Sequence, residues 1–455
     1  MFKRMLIANR GEIAVRIIRA CKELGIETVA IYSTVDKEAL HVKLADEAIC
    51  VGGPLAKDSY LNIENILSAA LLTQCHAIHP GFGFLSENSK FVRLVNKCGL
   101  TFVGPSPEII DMMGNKSKAR EVVRNHDIPV VLGSDGTISS FEEGIKCAKK
   151  IGYPVLIKAS NGGGGKGMRI ATDEASFENA YFTTISEAKS SFGEEQVYLE
   201  KLITNPKHIE IQIIGDCHQN YVHLYERDCS IQRNYQKVIE EAPCKMLESH
   251  IRMKMANDAI RIAKAIGYNS VGTIEYIMDK NQNYYFIEMN TRIQVEHPIT
   301  EMITGIDIVK EQIRVAAGHV LSFKQDEIKM NGYSIECRIN AEDPFKGFRP
   351  TSGTIEAAIF PGGFGVRMDS SIYANCTISP FYDSMVGKLI VHGCDRQECI
   401  QKMRTALEEL IITGIQTNVE LHYLIFHQSE YIEGLFDTSF IESFLKELKE
   451  NELCI

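Results

Sequence analysis

The segment from Glu288 to His297 holds the densest set of side chains that could do chemistry. Its functional positions are Glu288, Asn290, Arg292, Gln294 and Glu296, and they alternate with Met289, Thr291, Ile293, Val295 and His297. In an extended chain every second side chain points to the same face, so the pattern predicts one face lined with carboxylate, amide and guanidinium groups. Metal ligands beside an Arg/Glu pair suit a site that binds an anion and deprotonates it.

A predicted hairpin places a second carboxylate near the first. The segments 271–278 and 284–290 flank a polar turn and alternate as antiparallel strands do. If a four-residue loop joins them, Glu275 lies directly across from Glu288. Carboxylates in that arrangement are usual ligands of Mg²⁺ that bridges nucleotide phosphates. The hairpin thus predicts a metal site, with two solvated glutamates as the alternative.

A glycine loop predicts phosphate binding. Gly162 to Gly165 are followed by Lys166 and Gly167, and backbone amides without Cβ atoms can approach an anion closely. This loop is not a Walker loop, because Gly167 stands where Ser or Thr is required and an apolar strand follows where a helix is required. A flexible hairpin tip is the alternative. Lys158 in the preceding strand "VLIKA" favours phosphate, because a buried ammonium requires an anionic partner.

Three regions are predicted to position these groups. Strand 5–8, a helix from Gly11 to about Leu24 and strand 27–33 form a βαβ unit, which indicates a doubly wound α/β domain ending near Met113. A small β-rich flap from about Ile128 follows, with strands 154–159 and 168–171, and after it an α+β region runs to the C-terminus. The charged face of the first helix (Arg16, Arg19, Glu23) is expected to be solvated. A later strand aligns Ser334, Glu336, Arg338 and Asn340 on one face.

Composition excludes several classes of protein. The 455 residues carry a net charge of −10 and no long basic run, which argues against a nucleic-acid partner. The 13 cysteines are dispersed and include no Cys-x-x-Cys pair, which argues against a disulfide framework or zinc site and favours a reducing cytoplasm. Apolar runs are too short for a signal peptide or a membrane span.

Colinear motifs along the whole chain resemble biotin carboxylase. They are "MLIANRGEIAVRIIRA", "GGGGKGM", "EKLITNPKHIEIQ", "RDCSIQRNYQKVIEEAP", "FIEMNTRIQVEHPITEMITGIDIVKEQ", "ECRINAEDP" and "PFYDSMVGKLI". The resemblance implies an ATP-grasp fold that combines α/β and α+β parts. These are an N-terminal Rossmann-like domain (1–114), a linker with the glycine-loop lid (115–203) and a C-terminal mixed domain (204–455).

The resemblance also implies which residues bind the nucleotide, the metal ions and the substrates. The nucleotide set is Lys116, Lys158, Gly164, Gly165, the hinge Glu200, Lys201, Leu202 and Ile203, then His208, Tyr235, Glu275 and Glu288. The ligands of Mg²⁺ or Mn²⁺, with two ions expected, are Glu275, Glu288 and Asn290, and the bicarbonate site is Lys237, Arg292, Gln294 and Val295. The implied catalytic residues are Lys237, Arg292, Glu296 and Arg338. Glu296 is the base, and Arg338 faces biotin.

In that family, bicarbonate attacks the γ-phosphate to give carboxyphosphate, and the released phosphate deprotonates biotin. The resemblance implies biotin on a separate carrier protein and carboxyltransferase subunits as partners, and the expected parent enzyme is an acetyl-CoA carboxylase of fatty acid synthesis. Arg16, Arg19, Glu23, Phe364 and Arg367 resemble the contacts of a homodimer, which replaces the solvated-face interpretation.

Two positions depart from the family, and one motif misleads. Phe82 stands where tyrosine is usual beside biotin, and Tyr235 stands where histidine is usual beside ATP, so nucleotide affinity and free-biotin turnover are open. The tripeptide 253–255, Met-Lys-Met, resembles a biotin attachment site but lies in a predicted helix, which argues against biotinylation.

Alternative functions differ in what they require. An ATP-grasp ligase that joins an organic acid to an amine would share the ATP and metal groups, but Arg338 and "RIQVE" argue against it. A silent nucleotide-binding subunit conflicts with the presence of Lys237, Arg292 and Glu296. An NAD oxidoreductase is excluded because "ANRGE" contains no G-x-G-x-x-G turn.

Overall fold

A computed structural model describes residues 1–160, 167–192 and 196–452. Its helices are α1 (Gly11–Glu23), α2 (Leu40–Leu44), α3 (Ile63–Leu72), α4 (Ser89–Lys97), α5 (Pro107–Gly114), α6 (Lys116–Arg124), α7 (Phe141–Ile151), α8 (Glu174–Phe192), α9 (Ser249–Ala265), α10 (His297–Thr304), α11 (Ile308–Ala316), α12 (Arg396–Glu409), α13 (Val419–Ile425), α14 (Ser429–Glu433) and α15 (Phe440–Glu452).

The strands alternate with these helices at first and later form long runs. They are β1 (Arg4–Ile7), β2 (Glu27–Ser33), β3 (Glu47–Gly52), β4 (Ala77–His79), β5 (Thr101–Phe102), β6 (Val155–Ala159), β7 (Met168–Ala171), β8 (Val197–Lys201), β9 (Lys207–Gly215), β10 (Tyr221–Arg233), β11 (Gln236–Ala242), β12 (Ser270–Met278), β13 (Tyr284–Asn290), β14 (Tyr333–Asn340), β15 (Glu342–Asp343), β16 (Arg349–Pro350), β17 (Gly353–Thr354), β18 (Ala358–Ile359), β19 (Val366–Ser370), β20 (Thr377–Ile378), β21 (Met385–Gly393) and β22 (Ile411–Ile412).

The N-terminal region is built on a parallel five-stranded sheet in the order β3-β2-β1-β4-β5. Hydrophobic clusters cover both faces, because β1 buries Met5 and Ile7 on one side and Leu6 on the other. Helix α1 packs its stripe of Ile13 and Ile17 against the first face. The predicted doubly wound sheet is thus confirmed.

A small antiparallel sheet, in the order β7-β6-β8, forms the second unit. Its core packs Val155, Ile157 and Leu199 against Phe177 of α8. The strands occur where the sequence predicted the flap, and β7 matches the predicted bounds. Gly164 and Gly165, at the centre of the predicted phosphate loop, lie outside the described residues.

An eight-stranded antiparallel sheet, in the order β13-β12-β9-β10-β11-β14-β21-β19, forms the third unit. Strand β9 pairs with β12, and β14 pairs with β11 and β21, so the chemistry-bearing strands are neighbours. Helices α1 and α10 contact β21, and α10 also contacts β11 and β14. The predicted mixed region is confirmed, and helix α9 contains the Met-Lys-Met tripeptide, as expected.

The charged face of α1 is solvated only in part, which differs from the first expectation. Arg16 is buried and donates to Glu301 (2.9 Å) and to Asp307 (2.6 Å), while Glu23 pairs with Lys310 at 2.5 Å. Arg19 and Glu23 are both exposed, Glu23 despite its ion pair. The expectation fails because helices α10 and α11 supply acidic and basic partners for this face from the same chain, which the periodicity of α1 alone does not reveal.

The described helices also bear on membrane association. None of those within residues 1–160, 167–192 and 196–452 combines the length and the apolar character that crossing a bilayer requires.

Candidate functional site

A cavity of about 1020 Å³ lies where the three units meet. The loop after β4 supplies Phe82 from the first unit, and β6 supplies Lys158 from the second. Asn9 holds this loop by donating to the carbonyls of Pro80 (2.6 Å) and Phe82 (2.7 Å). Strands of the eight-stranded sheet, the start of α1, the start of α6 and the chain after β8 form the other walls, so different elements close the cavity on several sides.

Two lysines face the cavity and pair with carboxylates on its wall. Lys116 at the start of α6 donates to Glu288 at 2.7 Å, and Lys158 lies 2.5 Å from Glu200. Arg120 also pairs with Glu200. Burial acts to raise the pKa of Glu200, but these cations outweigh it and lower that pKa. The sequence argument that Lys158 requires an anionic partner is correct, and in this structure the partner is Glu200.

The predicted nucleotide hinge runs along the cavity wall from the end of β8. Residues 200–203 all line the cavity. The side chain of Lys201, however, turns away and donates to the carbonyls of Gly152 (2.8 Å) and Tyr153 (2.9 Å). A hinge at this position therefore presents its backbone, and not the Lys201 ammonium, to a ligand.

The hairpin β12–β13 brings the two carboxylates opposite each other, as predicted, although the loop is different. Glu275 pairs with Glu288, but Met278 pairs with Tyr284, so the loop is one residue longer than expected. A bulge between Glu275 and Tyr276 compensates for that extra residue. Asp279 shapes the longer loop by accepting from the backbone amides of residues 281 and 283.

Oxygen atoms suited to a divalent cation meet on this hairpin. Glu275 and Asn290 are buried, Glu288 is partly exposed, and all three line the cavity. The Asn290 amide donates to Glu275 at 2.8 Å, and His208 lies 3.0 Å from the other Glu275 oxygen. Hard carboxylate and amide oxygens are the ligands that Mg²⁺ prefers, so these residues fit such an ion.

The chain after Asn290 is not extended as predicted. Strand β13 ends at Asn290, and residues 291–296 turn before α10 begins at His297. Arg292 and Gln294 of the predicted face still line the cavity, but so does Val295 of the opposite set, whereas Glu296 is buried beside it. The prediction failed because alternation in the sequence does not reveal that the chain bends and turns before α10, which begins with a His-Pro pair.

Glu296 is held between two cations beside the cavity. It is 0% exposed, and it accepts from Lys237 Nζ at 2.5 Å and from Arg338 Nη2 at 2.9 Å. Burial acts to raise the pKa of Glu296, but Lys237 and Arg338 outweigh it, and the pKa lies below its ordinary value. The carboxylate is therefore ionised at neutral pH and available to accept a proton.

Several groups around this site were missed by the sequence analysis, of which Glu210 and Glu240 are buried and Glu87 is exposed. Glu210 accepts from Arg227 and from Lys237, each at 2.5 Å, and Glu240 accepts from Arg338 at 2.5 Å. Glu87 accepts from Arg292 at 2.8 Å. A signal for Glu210 exists, because His208, Glu210 and Gln212 alternate with isoleucines in β9. Nothing in the local sequence marks Glu87.

Sequence models of three families match the chain in order. They are the biotin carboxylase N-terminal domain (1–110), the ATP-binding domain of the carbamoyl-phosphate synthase L chain (115–324) and the biotin carboxylase C-terminal domain (336–443). Biotin carboxylase 1 of Bacillus subtilis is 53% identical, with 98% of this chain and 99% of that protein covered. The chain belongs to the biotin carboxylase family. The predicted family, enzyme class and ATP-grasp fold are confirmed.

Solved structures of this family agree with the fold. A biotin carboxylase from Campylobacter jejuni, in a complex with β,γ-ATP by its description, matches with a TM-score of 0.96 at 48% identity, covering 97% of this chain and 99% of that one. The biotin carboxylase domain dimer of Hydrogenobacter thermophilus 2-oxoglutarate carboxylase, in complex with MgADP, ADP and bicarbonate, matches with a TM-score of 0.95 at 51% identity, covering 97% and 98%. The predicted cofactors, ATP with Mg²⁺ and biotin on a separate carrier, are those of the family.

Proposed function

We propose that this chain carboxylates biotin carried on a separate protein, using ATP and bicarbonate and releasing ADP and phosphate. The observation that supports this most strongly is the position of Glu296 between Lys237 and Arg338 at the edge of the cavity. An ionised carboxylate flanked by two cations suits the binding of an anion and the removal of its proton.

In this proposal the nucleotide lies between the lysine pair and the hinge. Lys116 and Lys158 bind its phosphates together with Gly164 and Gly165, while residues 200–203 and His208 contact the nucleoside. Glu275, Glu288 and Asn290 would hold Mg²⁺ or Mn²⁺, which neutralises phosphate charge during transfer. Tyr235 lines the same cavity and forms its edge beside the nucleotide.

The first chemical step occurs where residues 291–296 meet Lys237. Arg292, Gln294, Val295 and Lys237 bind bicarbonate, and Glu296 accepts its proton. The bicarbonate oxygen then bonds to the γ-phosphorus while the bond from that phosphorus to ADP breaks, giving carboxyphosphate. Lys237 stabilises the negative charge with its ammonium group, which Glu210, Glu275 and Glu296 hold in place beside the cavity.

The second step uses Arg338. Carboxyphosphate breaks its carbon–oxygen bond to give CO₂ and phosphate, and the phosphate takes the proton of the biotin ureido nitrogen. That nitrogen then bonds to the CO₂ carbon. Arg338 stabilises the negative charge that develops on the ureido oxygen, and Glu240 and Glu296 hold its guanidinium in place.

The proposal extends to the larger assembly. We assign residues 1–114, 115–203 and 204–455 as domains, a homodimer through the surface of Arg19 and Phe364, and a biotin carboxyl carrier protein with carboxyltransferase subunits as partners. Acetyl-CoA carboxylase of fatty acid synthesis is the first candidate for the parent enzyme, because the bacterial and chloroplast relatives are named simply biotin carboxylases. A cytoplasmic location fits the cysteines, which are all free among the described residues.

A second parent enzyme is supported by one specific similarity. The small subunit of 2-oxoglutarate carboxylase from Hydrogenobacter thermophilus is 52% identical, with 97% of this chain and 93% of that protein covered. Copurification of the chain with its natural partners, followed by acceptor assays with acetyl-CoA and with 2-oxoglutarate, distinguishes the two.

ATP hydrolysis by the purified chain with Mg²⁺ tests the proposed reaction. We expect hydrolysis to require bicarbonate and to increase when biotin is added. ATP hydrolysis that is independent of bicarbonate and instead requires an organic acid and an amine would contradict the proposal. Such a result would favour a different ATP-grasp ligase.

A further inference from the structure

Lys388 is a cation that the proposed reaction does not use, although it lies close to the site. It belongs to β21, and its side chain is 0% exposed. Burial of an ammonium group is unfavourable unless anions and hydrogen-bond acceptors surround it. The partners of Lys388 therefore indicate what this lysine does.

Lys388 connects the N-terminal helix to the segment that carries Glu296. Its Nζ donates to the backbone carbonyl of Val295 at 2.7 Å and lies 3.1 Å from Glu12 Oε1. Glu12 is buried at the start of α1 and lines the cavity, as does Val295. One ammonium group thus joins a residue of the first unit to the peptide that precedes Glu296.

The surroundings of Lys388 form a buried charged layer between the large sheet and helices α1 and α10. Lys388 pairs across the sheet with Arg338 in β14 and with Asp369 in β19. Glu336 lies in the same layer, directly opposite Glu240. Burial raises the pKa of Glu336, and Lys388 is the first cation that counteracts this. Lys388 is thus a component of the charge balance around Arg338.

Residues 291–296 depend on side chains for their shape because they lie outside any strand or helix. The carbonyl of Gln294 is held by His297 Nδ1 at 2.8 Å, and the carbonyl of Val295 is held by Lys388. A peptide unit is planar, so fixing the Val295 carbonyl also fixes the direction of the Glu296 amide. The lysine therefore acts on backbone next to the base.

We propose that Lys388 is a positioning residue that, fixed by Glu12, holds the Val295–Glu296 peptide in the orientation that bicarbonate binding requires. This inference rests on the proposed function. The lysine does not touch substrate, so its effect is specific to bicarbonate and does not extend to the nucleotide.

Kinetics of bicarbonate-dependent ATP hydrolysis by the full chain test this role. In Lys388→Met, kcat/KM for bicarbonate is expected to fall about 100-fold, because small displacements of positioned groups have effects of that size. KM for ATP is expected to stay unchanged. In Glu12→Gln/Lys388→Met both charges are removed, so thermal stability should return towards wild type while the bicarbonate defect persists.

Lys402→Met is the matched control. Lys402 also donates to a backbone carbonyl, that of His392 (2.8 Å), and pairs with Glu398 (2.8 Å), but it does not line the cavity. This variant should keep wild-type kinetics for both substrates.

Each other outcome is decisive. Normal bicarbonate kinetics in the folded double variant would mean that Lys388 only neutralises Glu12. Equal losses of kcat/KM for bicarbonate and for ATP would mean a general structural role, and so would failure of both Lys388 variants to fold, as measured by circular dichroism. Either result contradicts the inference. If wild-type hydrolysis itself ignores bicarbonate, the proposed function fails first, and the two failures are thereby distinguished.

Discussion

At the scale of single residues, the proposed base Glu296 must be ionised before substrates bind and basic during the reaction. Burial acts to raise its pKa, but Lys237 and Arg338 outweigh burial and lower it. Bicarbonate and the ureido oxygen of biotin are the negative partners proposed for these same two cations. We therefore expect the pKa of Glu296 to rise when substrates attract Lys237 and Arg338, towards the range in which a general base is effective.

Replacing the base or its neighbouring arginine tests this account. Glu296→Gln and Arg338→Ala are each expected to lower the rate of biotin carboxylation by about 100-fold or more, because proton removal and charge stabilisation act on the chemical step. Nucleotide affinity, measured by titration calorimetry with ADP and Mg²⁺, should remain near that of wild type. Loss of nucleotide binding in either variant would contradict the assignment.

Glu240 predicts a pH dependence of stability. Burial raises its pKa from 4.5 to about 7, against the opposing effect of Arg338. The folded protein thus retains a proton that the unfolded chain has lost, so this stabilisation is full below the unfolded pKa and disappears as pH rises through about 7.

Glu240→Gln removes that titration. The free energy of unfolding, measured by urea denaturation between about pH 5.5 and pH 8, should therefore depend less steeply on pH in the variant, by up to about 1.4 kcal/mol per pH unit. Identical pH slopes in the variant and in wild type would show that Glu240 does not hold the proton.

At the scale of elements, the turn between β10 and β11 holds an aromatic residue in a backbone conformation that is unfavourable for it. Arg233 pairs with Gln236, and the two residues between them, Asn234 and Tyr235, have φ of 49° and 64°. Asparagine tolerates this left-handed conformation, whereas an aromatic side chain is strained in it. Tyr235 is 56% exposed and lines the cavity, so its ring is available to a bound nucleotide.

Tyr235→Asn should therefore separate stability from binding. We expect the variant to be more stable by about 1 kcal/mol, because asparagine accepts the turn conformation at lower energy. KM for ATP should rise, since the cavity loses an aromatic wall. Thermal unfolding and steady-state kinetics check the two parts, and a variant that is less stable with unchanged KM would contradict both.

Elements with strong periodicity could be predicted from the sequence. The opposition of Glu275 and Glu288 followed from alternation, although the loop length was wrong and a bulge restored the pairing. The prediction that the extended strand continues past Asn290 was wrong, because alternation does not reveal where a strand ends before a helix. The partners of Arg16 also could not be predicted, since Glu301 and Asp307 are distant in the sequence.

Candidate site residues followed the same rule. Lys158 was predictable, because a lysine inside an apolar strand requires an anion. Glu87 was not, because its contact with Arg292 joins two units of the chain. The roles assigned through the resemblance to the family remain predictions for the variants above to test.

At the scale of the whole molecule, ion pairs between units hold the cavity walls together. Glu87 of the first unit binds Arg292, and Arg16 of α1 binds Glu301. The first ion pair therefore contacts the segment 291–296, and the second contacts helix α10, which follows it. Relative movement of the first and third units would therefore disturb the proposed bicarbonate site directly.

The proposed homodimer predicts the effect of one surface residue. Phe364 is 92% exposed, and exposed aromatic side chains often mark interfaces. Phe364→Ser should shift the protein from dimer to monomer in sedimentation velocity at equal concentration. Leu72→Ser, at a leucine that is 80% exposed on α3, is the control and should leave the mass unchanged. A dimeric Phe364 variant would place the interface elsewhere.

Transfer of label from bicarbonate to biotin tests the central claim most directly. The purified chain is incubated with ATP, Mg²⁺, ¹⁴C-bicarbonate and biotin, either free or on a carrier protein, and Glu296→Gln serves as the blank. We predict label in carboxybiotin that depends on ATP and is lost in the blank. ATP hydrolysis without labelled biotin on either acceptor would contradict the claim that this chain is the carboxylating enzyme.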